Sequence, residues 1–221
     1  MIIAIDGPAG SGKSSAAKIV AQKMQFRHIN TGAMYRAVAW KAQQLGMTLD
    51  HEEDIAEVAR NLNIQFIPGP EGQAVVVDEK DVTGLLRTKS VDQDAAIVAS
   101  LGKVREILVA SQRTMGKSGN IVMEGRDIGT VVFPEADKKF FLDATPEERG
   151  KRRYLELKAK NQAVDLDAII EQVKLRDDKD RNRKVSPLKP AEDAICLDTT
   201  SLDLNEVVNH MMGWIQKNPT C

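Results

Sequence analysis

The chain has 221 residues, 42% hydrophobic and 29% charged, enough for one sizeable core with an insertion but short for two full domains. Lys and Arg number 31 against 32 Asp and Glu, giving a net charge of −1 and a pI near 6.3. That balance lacks the basic footprint of a nucleic-acid binder, and 4% aromatic residues give little for stacking single strands. No apolar stretch approaches the ~20 residues of a membrane-spanning helix, and Cys196 and Cys221 are too few for a disulfide framework. Met1 running straight into a strand gives the expectation of no secretory signal, the cysteine usage that of a reducing cytoplasm, and the chain is expected to be a monomer.

In chain order, Ile2-Ile3-Ala4-Ile5 is an apolar run suited to a buried strand, and Ser14 to Val20 leaves it as a helix. Arg27 to Asn30 reads as a strand, followed by a helix from Thr31 to about Leu45, with Thr31 as its N-cap and Gly46 ending it. His51 to Leu62 is a further amphipathic helix. Ile64-Gln65-Phe66-Ile67 and Gln73 to Val77 are β-type runs joined by the turn residues Pro68-Gly69-Pro70-Glu71-Gly72. This antiparallel patch interrupts the strand–helix alternation, so 62–100 is expected to be an inserted subdomain. A helix resumes over Gly102 to Met115. Ile121-Val122-Met123 and Lys139-Phe140-Phe141-Leu142 are buried strands, and Ile195-Cys196-Leu197 is the last strand, with Cys196 a core thiol. Leu204 to Ile215 closes the chain as a helix. The pattern predicts one α/β domain over 1–221: a three-layer fold on a central parallel sheet, with a small antiparallel insertion.

The segment Gly7-Pro8-Ala9-Gly10-Ser11-Gly12-Lys13-Ser14 fits G-x-x-x-x-G-K-[ST] and lies between a strand and a helix, as a phosphate loop must. Its glycines let backbone N–H groups curl toward phosphate oxygens at the positive end of a helix dipole. These residues and Ser15 are expected to bind ATP. Lys13, at an exposed loop, would reach the β- and γ-phosphates, and the Ser14 hydroxyl would ligate Mg²⁺. No Asn-Lys-x-Asp guanine-reading motif is present, which excludes a regulatory GTPase.

Three arginine-bearing groups indicate what the loop is used for. Arg126 and Asp127 follow a buried strand, where ligands of open parallel sheets bind. Arg126 there offers a planar fork for phosphate; an Arg126–Asp127 pair capping the strand end is the alternative. Arg36 stands a few residues past the strand ending at Asn30. Arg176, Asp180 and Arg183 fall at i, i+4 and i+7 and would share one helix face. They belong to 146–184, about half of it charged, including Arg149, Arg152 and Arg153. With little apolar surface to bury, this segment is expected to be a mobile helical lid over a phosphate site; a solvated charge run is the plain alternative.

Together these residues resemble the bacterial cytidylate kinase family, P-loop nucleoside monophosphate kinases that phosphorylate CMP and dCMP. The resemblance runs from Ile3-Ala4-Ile5-Asp6-Gly7-Pro8 to the C-terminal helix. It includes Thr31-Gly32-Ala33-Met34-Tyr35-Arg36, Asp81-Val82-Thr83, Arg87-Thr88, Val104-Arg105-Glu106, Gly125 to Pro134 and Arg176 to Arg183. It implies that 62–100 binds the monophosphate, that Thr31, Arg176 and Asp180 hold the ribose, and that Arg36, Arg126 and Arg183 hold phosphate. Arg105 and Asp127 would read cytosine, Asp127 accepting from the 4-amino group. Lys13, Arg126 and Arg183 would be the catalytic cations. One departure is that Ala95-Ala96-Ile97 stands where members of the family carry a base-contacting Ser.

The implied reaction is in-line transfer of the γ-phosphoryl of ATP to CMP or dCMP by positioning and charge stabilisation. Asp6 and Glu124 could orient waters on Mg²⁺ or simply cap strand ends. Competing readings are a sibling kinase for another small acceptor, a nucleotide-binding switch without turnover, and an ATP-driven nucleic-acid module. The extra arginine groups speak against the switch, and the acidic pI speaks against the last.

Overall fold

The computed structural model describes residues 1–69, 72–159 and 161–216. Its elements in chain order are β1 (Ile2–Asp6), α1 (Lys13–Met24), β2 (Arg27–Asn30), α2 (Thr31–Gln44), α3 (Glu52–Asn61), β3 (Ile64–Gly69), β4 (Gly72–Val77) and β5 (Lys80–Asp81). They continue with α4 (Lys89–Val98), α5 (Gly102–Gly116), β6 (Ile121–Gly125), β7 (Lys138–Asp143), α6 (Pro146–Ala159), α7 (Leu166–Asn182), β8 (Ile195–Asp198) and α8 (Leu204–Gln216). Two compact units result, one made of Met1–His28 with Gly119–Cys221, the other of Ile29–Ser118.

The first unit is built on a five-stranded sheet in the order β2-β6-β1-β7-β8. Strand β1 pairs in parallel with β6 and β7, and β7 with β8. Ile3, Ala4 and Ile5 are fully buried, the continuous apolar run that a strand covered on both faces requires. Ala16, Ala17 and Val20 of α1, Phe140 and Leu142 of β7, and Val207, Val208 and Met211 of α8 share that core. The register sets Asp6 opposite Gly125 and Phe141, so three strands end along one carboxyl edge. Cys196 is exposed, not a core thiol. Strand β8 lies at the sheet edge with one face covered, and its side chains alternate between half-buried Ile195 and Leu197 and exposed Cys196 and Asp198.

The charge-rich segment folds as the α6–α7 pair. Ile169 and Val173 are buried, and so are Arg149 and Asp177, which form an ion pair. Helix α7 ends at Asn182. Arg183 is its extended C-cap (φ −63°, ψ 142°), so it does not continue the helix face that carries Arg176 and Asp180.

The second unit packs Met34, Val38, Ile55, Val98, Val104 and Leu108 from α2 to α5 into its own core. Asn30, not Thr31, caps α2: its Oδ1 accepts from Ala33 N at 3.2 Å, and Thr31 is already the first helical residue. The hairpin forms in the antiparallel order β3-β4-β5, with Ile64 opposite Val77 and Gly69 opposite Gly72. Pro68, Gly69 and Gly72 are thus strand residues, while the expected turn positions 70 and 71 lie outside the described residues. The third strand is added through Asp78 and Glu79, both at positive φ, the two-residue turn whose twist suits a hairpin. Helix α4 was not legible as an element. Thr88 caps it by accepting from Val91 N at 3.3 Å, and Val91, Ala95 and Val98 supply its buried face.

Candidate active site

The phosphate loop joins β1 to α1. Gly7 has φ +146°, and a Cβ there would fall 2.0 Å from the Leu142 carbonyl oxygen, so only glycine fits. Gly12 precedes α1 with no side chain to cap it, which leaves the helix N-terminus for an anion. Ser11 Oγ is buried and has no hydrogen-bond partner among the described residues, a loop hydroxyl that a phosphate oxygen would satisfy. Lys13 is not at an exposed position. It is 6% exposed, and its Nζ donates to Pro8 O at 2.8 Å. Burial first, then the Arg126 charge, hold the Lys13 pKa well below the usual lysine range; Arg176 acts the same way, while Glu124 and Asp180 oppose it.

Behind the loop, Ser14 Oγ donates to Glu124 Oε2 at 2.6 Å, and His28 Nε2 lies 3.1 Å from Glu124 Oε1. Burial pushes the Glu124 carboxyl up, but the His28 bond, the Lys13 charge and the Ser14 bond outweigh it and hold it below its ordinary value. Asp6 has a capping task. Its oxygens accept from Ile128 N at 2.8 Å and Gly129 N at 2.7 Å, fixing the single π-type turn over Ile128–Val132 that follows Asp127. Burial raises the Asp6 pKa to about 6, against the pull of those two N–H groups.

The strand-end and helix groups meet within this unit. Arg126 Nε lies 2.9 Å from Asp180 Oδ2, whereas Asp127 Oδ1 faces Arg183 Nη2 at 3.9 Å. The Arg126–Asp127 pair considered as an alternative is thus replaced by two longer-range pairings. Arg183 Nε also donates to Ser186 O, which turns the chain after α7 back toward the strand end. Burial raises the Asp180 carboxyl, but Arg126, then Arg176 and Arg183, pull it below the usual range.

The remaining expected substrate residues belong to the second unit. Thr31 is buried in the first turn of α2. Arg36 Nε pairs with Asp92 Oδ1 at 2.7 Å, linking α2 to α4. Arg105 is 2% exposed, donates through Nη1 to Ala99 O at 3.0 Å, and sits 5.4 Å over the Tyr35 ring. In the departing stretch, Ala95 is buried, while Ala96 and Ile97 are exposed.

Sequence reasoning assigned no role to His28 or Thr199, and it placed Arg149 only in a mobile lid. Thr199 could have been found by the strand-end rule, since it follows β8, a parallel neighbour of β7. Arg149 carried no local signal: one more arginine in a charged helix looks solvated until its partners are known.

The cytidylate kinase family model matches residues 3–217. The chain is 47% identical over 212 residues to a cytidylate kinase of Carboxydothermus hydrogenoformans, covering 96% of each chain. A cytidylate kinase of Geobacter sp. (strain M21) is 46% identical over 211 residues, covering 96% of this chain and 91% of the relative. Among solved structures, a shikimate kinase from Bacteroides thetaiotaomicron superposes with a TM-score of 0.50 at 13% identity, over 98% of both chains, a likeness of fold alone. Identity near one half over almost the full length of both sequences reflects common descent, and the chain belongs to the cytidylate kinase family.

Proposed function

We propose a division of labour for the reaction that family membership assigns to this chain, transfer of the γ-phosphoryl of ATP to CMP or dCMP. The chain is an ATP-dependent nucleoside monophosphate kinase. The observation that carries the division is the loop's geometry: Lys13 is 6% exposed with its Nζ on Pro8 O at 2.8 Å, beside a buried Ser11 hydroxyl that has no hydrogen-bond partner among the described residues. A buried ammonium whose charge is opposed by Arg126 and Arg176 is a site waiting for a polyanion. The loop from Gly7 to Ser15 holds the ATP phosphates, and Lys13, Arg126 and Arg183 stabilise the negative charge that spreads over the transferred group. A phosphate monoester acceptor is already anionic near neutral pH, so the chain need supply no strong base.

For the acceptor, we assign Arg36, Arg126 and Arg183 to phosphate, Thr31, Arg176 and Asp180 to ribose, and Arg105 and Asp127 to cytosine. Asp127 suits its part, being 5% exposed, with the Arg183 guanidinium 3.9 Å from its Oδ1. Mg²⁺ fits the hard oxygen donors present, the Ser14 hydroxyl backed by the buried Glu124 carboxylate. When bound, Mg²⁺ would neutralise phosphate charge and orient the phosphate chain.

Coupled ADP release measured side by side with CMP, dCMP, UMP and AMP tests the reading. Turnover should be high with the two cytidine nucleotides and far lower with the other two. Preference for UMP or AMP would overturn the assignment of the base site.

A further inference from the structure

Arg149 is 1% exposed, the largest fully buried side chain of the protein among the described residues, and the phosphoryl-transfer mechanism does not use it. Its guanidinium is spent on four acceptors. Nε donates to Ala144 O at 2.8 Å, Nη1 to Ala9 O at 3.1 Å and to Asp177 Oδ1 at 2.9 Å, and Nη2 to Asp177 Oδ2. Ala9 is a phosphate-loop residue, and the next, Gly10 (φ +78°), lies so near α6 that a Cβ would fall 3.1 Å from Arg149 Cβ and 3.3 Å from its carbonyl oxygen.

A peptide group is planar and trans, so its N–H points opposite to its C=O. Turning the Ala9 carbonyl outward to Arg149 therefore turns the Gly10 N–H the other way, into the cradle. The same logic recurs one peptide pair along, where Thr199 Oγ1 donates to Ser11 O at 3.1 Å and so directs the Gly12 N–H. Lys13 holds Pro8 O from the other side. The Ala9 and Ser11 carbonyls are thus held outward, which turns the Gly10 and Gly12 N–H groups toward a phosphate.

We propose that Arg149 is a positioning residue for the ATP phosphates, and that Asp177 of α7 sets its geometry through the two-oxygen pair. The inference rests on the reading of the loop as the ATP site. It ties loop geometry to α7, the helix that also carries Arg176 and Asp180. A lysine at 149 could keep the charge but could not reach Ala144 O, Ala9 O and Asp177 at once.

The test compares Arg149→Lys and Asp177→Asn with the wild type in kcat, KM for ATP and KM for CMP, alongside thermal melting. Asp177→Asn keeps the shape and every backbone bond of Arg149. We expect kcat/KM for ATP to fall about 10- to 100-fold in each variant, the scale of an ångström-sized misplacement, with KM for CMP changed less than about twofold. A purely structural pair would lower the melting temperature and leave the KM ratio of the two substrates as in wild type, which overturns the proposal. Should neither variant fold, the native protein decides: the Arg149 Nε–H, followed by ¹⁵N NMR, should exchange more slowly once ADP is added and not once CMP is added. Equal exchange with and without ADP sinks the idea. Failure of the wild type to bind ADP would instead count against the kinase reading itself.

Discussion

Arg126 Nε and Asp180 Oδ2 stand 2.9 Å apart and join the end of β6 to the last turn of α7. One carboxylate thereby orients the guanidinium that follows the strand, leaving part of its fork for a phosphate. Because Asp180 is itself pulled below the usual carboxylate range by Arg126, Arg176 and Arg183, it stays charged through the neutral range and keeps this hold.

The cations of α7 and of its C-cap, Arg183, divide by their placement. Arg176→Ala and Arg183→Ala should each lower kcat/KM by about 10²-fold or more, the scale of losing a transition-state donor. Lys179 is exposed, and Arg181 pairs with Asp143 at 3.2 Å in a half-exposed contact, an interaction worth about 1 kcal/mol or less. Lys179→Ala and Arg181→Ala should stay within about threefold of wild type, by the same rough scale. Similar losses in all four variants would show that bulk positive charge, not placement, is what counts.

Lys13→Ala should reduce kcat by about 10²- to 10³-fold or more. Its Nζ bond to Pro8 O is lost as well, but so is the cost of a buried charge opposed by Arg126, so melting should shift little. Steady-state kinetics on protein with a wild-type circular dichroism spectrum checks this. Near-normal turnover would remove Lys13 from the mechanism.

Base choice should turn on Asp127. Cytosine presents an amino donor at C4 and uracil a carbonyl acceptor, and a buried carboxylate accepts from one while repelling the other. Sites built on such a bond can discriminate by roughly 10⁴. Asp127→Asn offers an amide able to donate, so activity with CMP should fall sharply and most of the preference over UMP should vanish, with KM for ATP little changed. If Asp127 served only to hold Arg183, the two substrates would lose activity in proportion, and an unchanged ratio of kcat/KM would show it.

Asp6 makes a pH prediction. Its carboxyl titrates near 6 in the folded chain against 3.8 as a free group, so between those values the native state binds more protons than the unfolded state. This group's contribution to stability is therefore fully present below about pH 4 and is lost as pH rises through about 6, a change of about 3 kcal/mol. Asp6→Asn cannot titrate. The unfolding free energy of wild type minus that of the variant, from urea melts between pH 4 and 7, should fall by up to about that amount. A difference independent of pH would mean that the two N–H bonds cancel the burial of Asp6.

Much of this protein was determined locally. The strands β1, β6 and β7 and the helices α1, α2, α3, α5 and α8 follow from apolar period and turn residues, because a buried parallel strand must be a continuous apolar run and a surface helix must carry a stripe. The phosphate loop was legible for the same reason: Gly7 and Lys13 answer to the steric and electrostatic demands of one short segment. Tertiary structure decided the pairings. Arg126 with Asp180, Asp127 with Arg183, and Arg149 with Asp177 join residues 54, 56 and 28 positions apart, and an arginine's partner depends on where the chain returns, which no local pattern encodes. Burial was likewise decided by the fold. Lys13 and Arg149 are charged residues on helices, the usual mark of a solvated surface, yet the loop covers one and α7 the other. Cys196 went the opposite way, apolar in its sequence neighbourhood but exposed because its strand closes the sheet and has only one face to bury.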